Sequence, residues 1–167
     1  KSLFGKVQND VLGSGLHFIN PFMEVSRLDV KTQNYTMSGI HDEGMKSGDD
    51  AIRVLTADGL EVTIDLTVLY KLLPSEAPRL LRETGDDYTD KIVRPVTRTK
   101  IRDNSVYYEA IALYSTKRDE FQQRIFTSID NDFKKRGLIL EQLLVRNITL
   151  PQSVKETIEQ KINAEQD

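Results

Sequence analysis

The chain has 167 residues, with 23 basic and 26 acidic side chains and a formal net charge of −3. That length suits one ordinary domain or two small ones, and the slight acidic excess argues against a broad nucleic-acid surface, which needs a clear basic surplus. There is no cysteine and only two histidines, His17 and His41, so disulfides, thiolate nucleophiles, cysteine-held metals and three-histidine metal sites are all excluded.

From the N-terminus, Leu3 to Phe22 reads as two short strands, broken at Gly13-Ser14-Gly15 and stopped by Asn20-Pro21. The apolar residues here include Leu12, Leu16, Phe18 and Phe22. Composition alone makes them core, although a glycine-broken, aromatic-rich hairpin also suits the boundary of a bilayer. His17 sits inside this apolar run and reads as a structural histidine, and His41 reads as solvated. Val25 to Met37 alternates weakly and predicts a more exposed strand.

Ser38 to Asp50 is rich in Gly, Ser and acids and predicts a surface loop. Its Asp42, Glu43, Asp49 and Asp50 do not follow the spacing of a calcium-binding loop, so no metal is expected. Leu60, Val62, Ile64, Leu66, Val68, Tyr70 and Leu72 then alternate with a largely polar set. This is a strand with one buried face. Asp58-Gly59 suits a two-residue hairpin turn, which would pair Ala57 with Leu60 and Leu55 with Val62.

The second half is helical. Ser75 to Arg82 predicts a short helix capped by Ser75, and Asp90 to Asp103 another, with Pro95 forcing a kink or a late start. Lys91, Arg94, Arg98 and Arg102 fall on one side of that helix. A salt-bridge face, within the chain or between subunits, explains the stripe better than nucleic acid, because Asp86, Asp87, Asp90 and Asp103 flank it. Glu109 to Tyr114 is a third short segment. The strongest helix has Phe121, Ile125, Ile129 and Phe133 every four residues, with Thr116 and Asp119 as a capping box and Gly137 as its stop. Leu138 to Leu150 has apolar residues on both faces and predicts an interior strand. Pro151 to Asp167 restarts as a helix, and the thin stripe Val154, Ile158 and Ile162 suits a coiled-coil seam.

No nucleophile elbow, P-loop or dinucleotide fingerprint is present, and no cofactor is implied. A hydrolase built on Asp58 or Glu61 is the enzymatic alternative, but Asp58 already has a sufficient job in the turn and no second acid stands beside it for proton transfer. A soluble protein-interaction adaptor is the other alternative.

In order along the chain stand Phe4-Gly5-Lys6-Val7, Gly15-Leu16-His17-Phe18, Asn20-Pro21-Phe22 and Thr56-Ala57-Asp58-Gly59-Leu60. Tyr88 follows with Ile92-Val93-Arg94-Pro95 and Arg98, then Tyr114-Ser115-Thr116-Lys117-Arg118, Arg136-Gly137-Leu138, Val145-Arg146-Asn147-Ile148 and Leu150-Pro151. Jointly these resemble the SPFH or Band 7 family of stomatins, prohibitins, flotillins and bacterial protease-regulating proteins, closest to a prohibitin-like bacterial member. The resemblance implies an α+β fold: an N-terminal, mainly antiparallel β part (1–73), helices on a small sheet (74–150), and the start of a coiled-coil helix (151–167). It further implies a non-enzymatic, membrane-associated scaffold, anchored by a hydrophobic segment ahead of Lys1 and self-assembling into large oligomers that organise membrane microdomains. Membrane lipids, further copies of the chain and a membrane-bound AAA+ protease are the partners it implies. Leu12, Leu16, Phe18 and Phe22 then become membrane-proximal, and Arg94, Arg98, Arg102, Val154, Ile158 and Ile162 become candidates for subunit contacts.

Overall fold

A computed structural model of the chain describes residues 2–3, 6–7, 11–13, 15–16, 18, 21, 23–24, 27–39 and 50–151. The fold is α+β, as expected, with ten regular elements among those residues beside short 3-10 and π-helical turns. The central strand is β6 (Glu61–Leu72), and Val62, Ile64, Leu66, Val68, Tyr70 and Leu72 all turn their side chains into the core. One edge of β6 pairs antiparallel with β7 (Leu138–Thr149). The other is shared end to end by β4 (Gln33–Met37) and β5 (Ile52–Leu55), both antiparallel to it. A separate antiparallel sheet joins β1 (Ser2–Leu3), β2 (Lys6–Val7) and β3 (Met23–Glu24) in the order β2-β1-β3. The sequence predicts two strands in that region; the third, β3, follows Pro21.

Three expectations about the larger sheet need correction. The hairpin forms, but Leu55 pairs with Glu61 and Val54 with Val62, one residue away from the predicted register. Gly59, at φ +76°, donates its N–H to Thr56 O, and Thr56 N–H donates to Leu60 O, so the loop holds three residues rather than two. A one-residue change of register reverses faces, and Leu55 is accordingly 57% exposed while Val54 is buried. Second, β7 is an edge strand. Apolar residues do lie on both of its faces, with Ile139 and Leu144 on the outer one, while Arg146 and Glu141 are extra residues at two β-bulges, each of which resets the alternation. Leu138, Leu140, Leu143, Val145 and Ile148 therefore all point inward. Third, of the strand predicted from Val25 to Met37, the described residues are regular over Gln33–Met37 alone, and Tyr35 and Met37 are buried.

The helices cover the apolar face of this sheet. α1 (Ala77–Glu83) follows a 3-10 turn at Pro74–Glu76 that contains Ser75, so Ser75 does not cap it. α2 (Arg94–Ser105) starts late, as Pro95 requires, behind a π-helical turn at Thr89–Val93 in which Arg94 N–H reaches Thr89 O. The wider turn accommodates a residue that lacks an N–H and crowds the preceding carbonyls. α3 (Arg118–Lys135) follows a second π-helical turn, Ala112–Thr116, which holds Thr116 and leaves no side-chain cap at Lys117.

Phe121, Ile125, Ile129 and Phe133 of α3 are fully buried, each contributing about 1.5–3 kcal/mol by leaving water. Phe133 meets Tyr70 edge to face at 6.5 Å, and Phe121 meets Tyr108 at 5.5 Å. Polar side chains of the same helix hold β7 beside its bulges: Leu140 N–H donates to Asp130 Oδ1, Val145 N–H to Gln122 Oε1, and Arg118 donates to Val145 O. Gly137 turns the chain from α3 into β7 at φ +90°, where a Cβ would lie 2.6 Å from Glu76 Cβ. The predicted coiled-coil seam, Val154, Ile158 and Ile162, lies outside the described residues.

Candidate functional site

Two groups of residues stand out, one apolar and exposed, the other charged and buried. In the first, Leu16 is 91% exposed and Phe18 97% exposed, with Val11 also largely in solvent. Leu12 is half-buried. Gly15 lies between them at φ +122°, a backbone that side-chain-bearing residues rarely adopt, with open space around its Cα. Phe22 and His17 lie outside the described residues. Isolated exposed apolar residues are ordinary, but Leu16 and Phe18 are two large ones almost fully in solvent beside Gly15, an exposed apolar tip.

The second group gathers Asp50, Arg94 and Arg98. Arg94 donates through Nη2 to Asp50 Oδ1. Arg98 places Nη1 3.5 Å from the same oxygen, while also donating to Asp50 O at 3.1 Å and, through Nη2, to Ala51 O at 3.4 Å. The hydrogen bond from Asp50 raises the Arg94 pKa above its ordinary value, whereas burial first, and the charge of Arg94 second, lower that of Arg98. Nearby, Tyr35 Oη, Asp50 Oδ2, Arg94 Nε and Thr97 Oγ1 are buried without a hydrogen-bond partner. The sequence reading of the stripe as a salt-bridge face within the chain or between subunits is thus met internally at Arg94 and Arg98. Arg102 is exposed, and Lys91 Nζ donates to Thr84 O at 3.2 Å. Asp50, read from sequence as a solvated loop acid, is 5% exposed.

The carboxylates weighed for hydrolysis stand in structural roles. Asp58 Oδ1 accepts from the Thr56 hydroxyl and from Ala110 N–H, tying the hairpin to the segment after α2. Glu61 is exposed and lies 3.9 Å from Arg53. Between α3 and β7 runs a shallow groove of about 230 Å³ lined by Asp119, Gln122, Gln123, Phe126 and Leu143. It brings in one carboxylate, not the pair that proton transfer in both directions uses. Among the described residues no cluster of three His, Asp or Glu is placed to hold a metal, and no helix is long and apolar enough to cross a membrane.

The described residues thus form a mixed α+β domain with an exposed apolar pair and a buried cluster in which Arg94 and Arg98 share the Asp50 carboxylate. The SPFH domain / Band 7 family model matches residues 1–167. The chain belongs to that family of membrane-associated scaffold proteins. Relatives include the mitochondrial prohibitin complex protein 1 of Caenorhabditis elegans, 22% identical over 98% of this chain and 55% of that protein. Prohibitin 1 of Gallus gallus is 24% identical over 98% of this chain and 56% of its own length. Prohibitin-2 of Dictyostelium discoideum is 22% identical over 98% and 52%. The chain thus spans little more than half the length of these relatives.

Proposed function

We propose that this chain is the membrane-facing domain of a non-enzymatic scaffold that touches lipid through Leu16 and Phe18 and acts by assembling with copies of itself. The observation that carries the reading is the near-complete exposure of those two side chains. A net charge of −3 gives no general attraction to anionic lipid, so the contact rests on apolar insertion. Burying one Leu and one Phe is worth about 3–6 kcal/mol together, no more than the marginal binding of a single acyl chain, about 5–6 kcal/mol. One tip therefore holds weakly, and many tips in one assembly hold strongly, because the first contact raises the local concentration for the next. Membrane contact and self-assembly reinforce each other on this account.

The worm relative is named as part of a prohibitin complex, which supports assembly here. The contacts we assign to it are Arg102, exposed on α2, and the seam of Val154, Ile158 and Ile162 beyond the described residues. In this reading a closed assembly fences off a patch of membrane and with it a membrane-bound AAA+ protease. Domain boundaries at 73 and 150 are part of the same proposal.

Fusing the chain to a hexameric carrier supplies the avidity one copy lacks. The fusion is expected to co-sediment with neutral phosphatidylcholine vesicles, and Leu16→Asp with Phe18→Asp to reduce bound protein at least roughly tenfold. Equal binding by the variant would reject the tip as the contact.

A further inference from the structure

The two strands along the second edge of β6 behave as one strand with an interruption. β4 pairs down to Met37 opposite Leu66, and β5 resumes with Ile52 opposite Ile64. Only Asp65 of β6 lies between those pairs, so a single opposing residue completes the ladder. Ser38 follows Met37 in line with that position and meets the Asp65 side chain: its Oγ donates to Asp65 Oδ2 at 3.5 Å, and Gly39 N–H donates to Asp65 Oδ1 at 3.1 Å. The alternation of faces also runs through the joint unbroken. Tyr35, Met37, Ile52 and Val54 are buried, while Arg53 and Leu55 point outward. A slip of one residue would have reversed every side chain after it.

The excursion is tied at its base. Asp50 N–H donates to Ser38 O at 2.9 Å. The Asp50 carboxylate meets Arg94 and Arg98, and Arg98 also takes the carbonyls of Asp50 and Ala51. Every one of these arginine contacts is to the returning end of the excursion. A buried ion deprived of its counter-ion is strongly destabilising, whereas exchanging a whole buried ion group for apolar side chains is close to neutral.

We propose that residues 39–51 are an insertion spliced into one continuous edge strand, and that Arg94 and Arg98 seal the splice through Asp50 rather than pairing with another subunit. The segment is separable from the fold, and the two arginines belong with it.

Thermal unfolding of four forms of the chain tests this as a cycle: unaltered, deleted of 39–51 with Ser38 joined to Ile52, carrying Arg94→Met and Arg98→Met, and carrying both changes. Each change alone is expected to lower Tm by roughly 5–10 °C, because it strands one side of the ion group. Together they are expected to cost clearly less than the sum of the two, the remaining loss being the Gly39 N–H that the deletion takes from Asp65. If the deletion alone does not fold, the combined form still carries the test. A combined loss equal to the sum of the two, or a combined form that does not fold, overturns the proposal.

Discussion

Phe18 and Phe133 are the same residue type with opposite fates. Phe133 is fully buried in the face that α3 lays on β6, edge to face with Tyr70; Phe18 is 97% exposed beside a glycine turn. The hydrophobic effect acts equally on both, so the difference lies in what each region has to bury against. α3 presents four aligned apolar residues to a six-residue apolar stripe on β6 and satisfies its polar neighbours through Gln122, Asp130 and Arg118. The tip has no such partner among the described residues.

Removing the buried member should break that contrast most severely. Phe133→Ala is expected to cost about 3–5 kcal/mol, through lost transfer energy and the cavity left against Tyr70. Denaturant unfolding with an unchanged m-value would confirm it.

A smaller effect comes from the buried tyrosines around the same core. Burial, with the charges of Tyr70 and Asp29 adding to it, pushes Tyr88 up to about 12, and burial also raises Tyr35 and Tyr70. The folded state therefore holds these protons when the unfolded chain has begun to release them. Their contribution is fully present below pH 10 and is lost as pH rises toward 12, about 2–3 kcal/mol for Tyr88 alone. Stability measured across that window should fall for the unaltered chain and fall less for Tyr88→Phe. At the exposed end of the comparison, Leu16→Asp with Phe18→Asp should leave denaturant stability within about 0.5 kcal/mol of the unaltered chain, which separates a loss of membrane binding from a loss of fold.

What was legible in the sequence follows the same division. β6 and α3 bury a single face over many residues, and both periodicities survive intact in the letters. The hairpin was visible but its register was not, because Asp58-Gly59 serves a two-residue turn and a three-residue loop with one left-handed glycine equally well. Leu55 changed faces on that single residue. In β7, apolar residues on both faces, with Ile139 and Leu144 outside, made an edge strand read as an interior one, and nothing local marks the bulges at Glu141 and Arg146. The charge cluster was half legible: the spacing of Arg94 and Arg98 announced a pairing face, but its acid lies far along the chain. The available hint was an acidic residue, Asp50, set directly before the apolar Ala51-Ile52 rather than inside the loop. Composition alone reads the tip as core, and the exposure of Leu16 and Phe18 is anticipated only through the family resemblance, because no short-range pattern records whether an apolar run finds a surface to pack on.

The sequence contains no tryptophan, so Phe18→Trp places a lone indole at the tip. With this variant on the hexameric carrier, the account predicts that indole emission shifts to shorter wavelength on phosphatidylcholine vesicles and is quenched by lipids brominated near the headgroup. Emission that stays at its solution wavelength while the fusion is bound to the vesicles would contradict it.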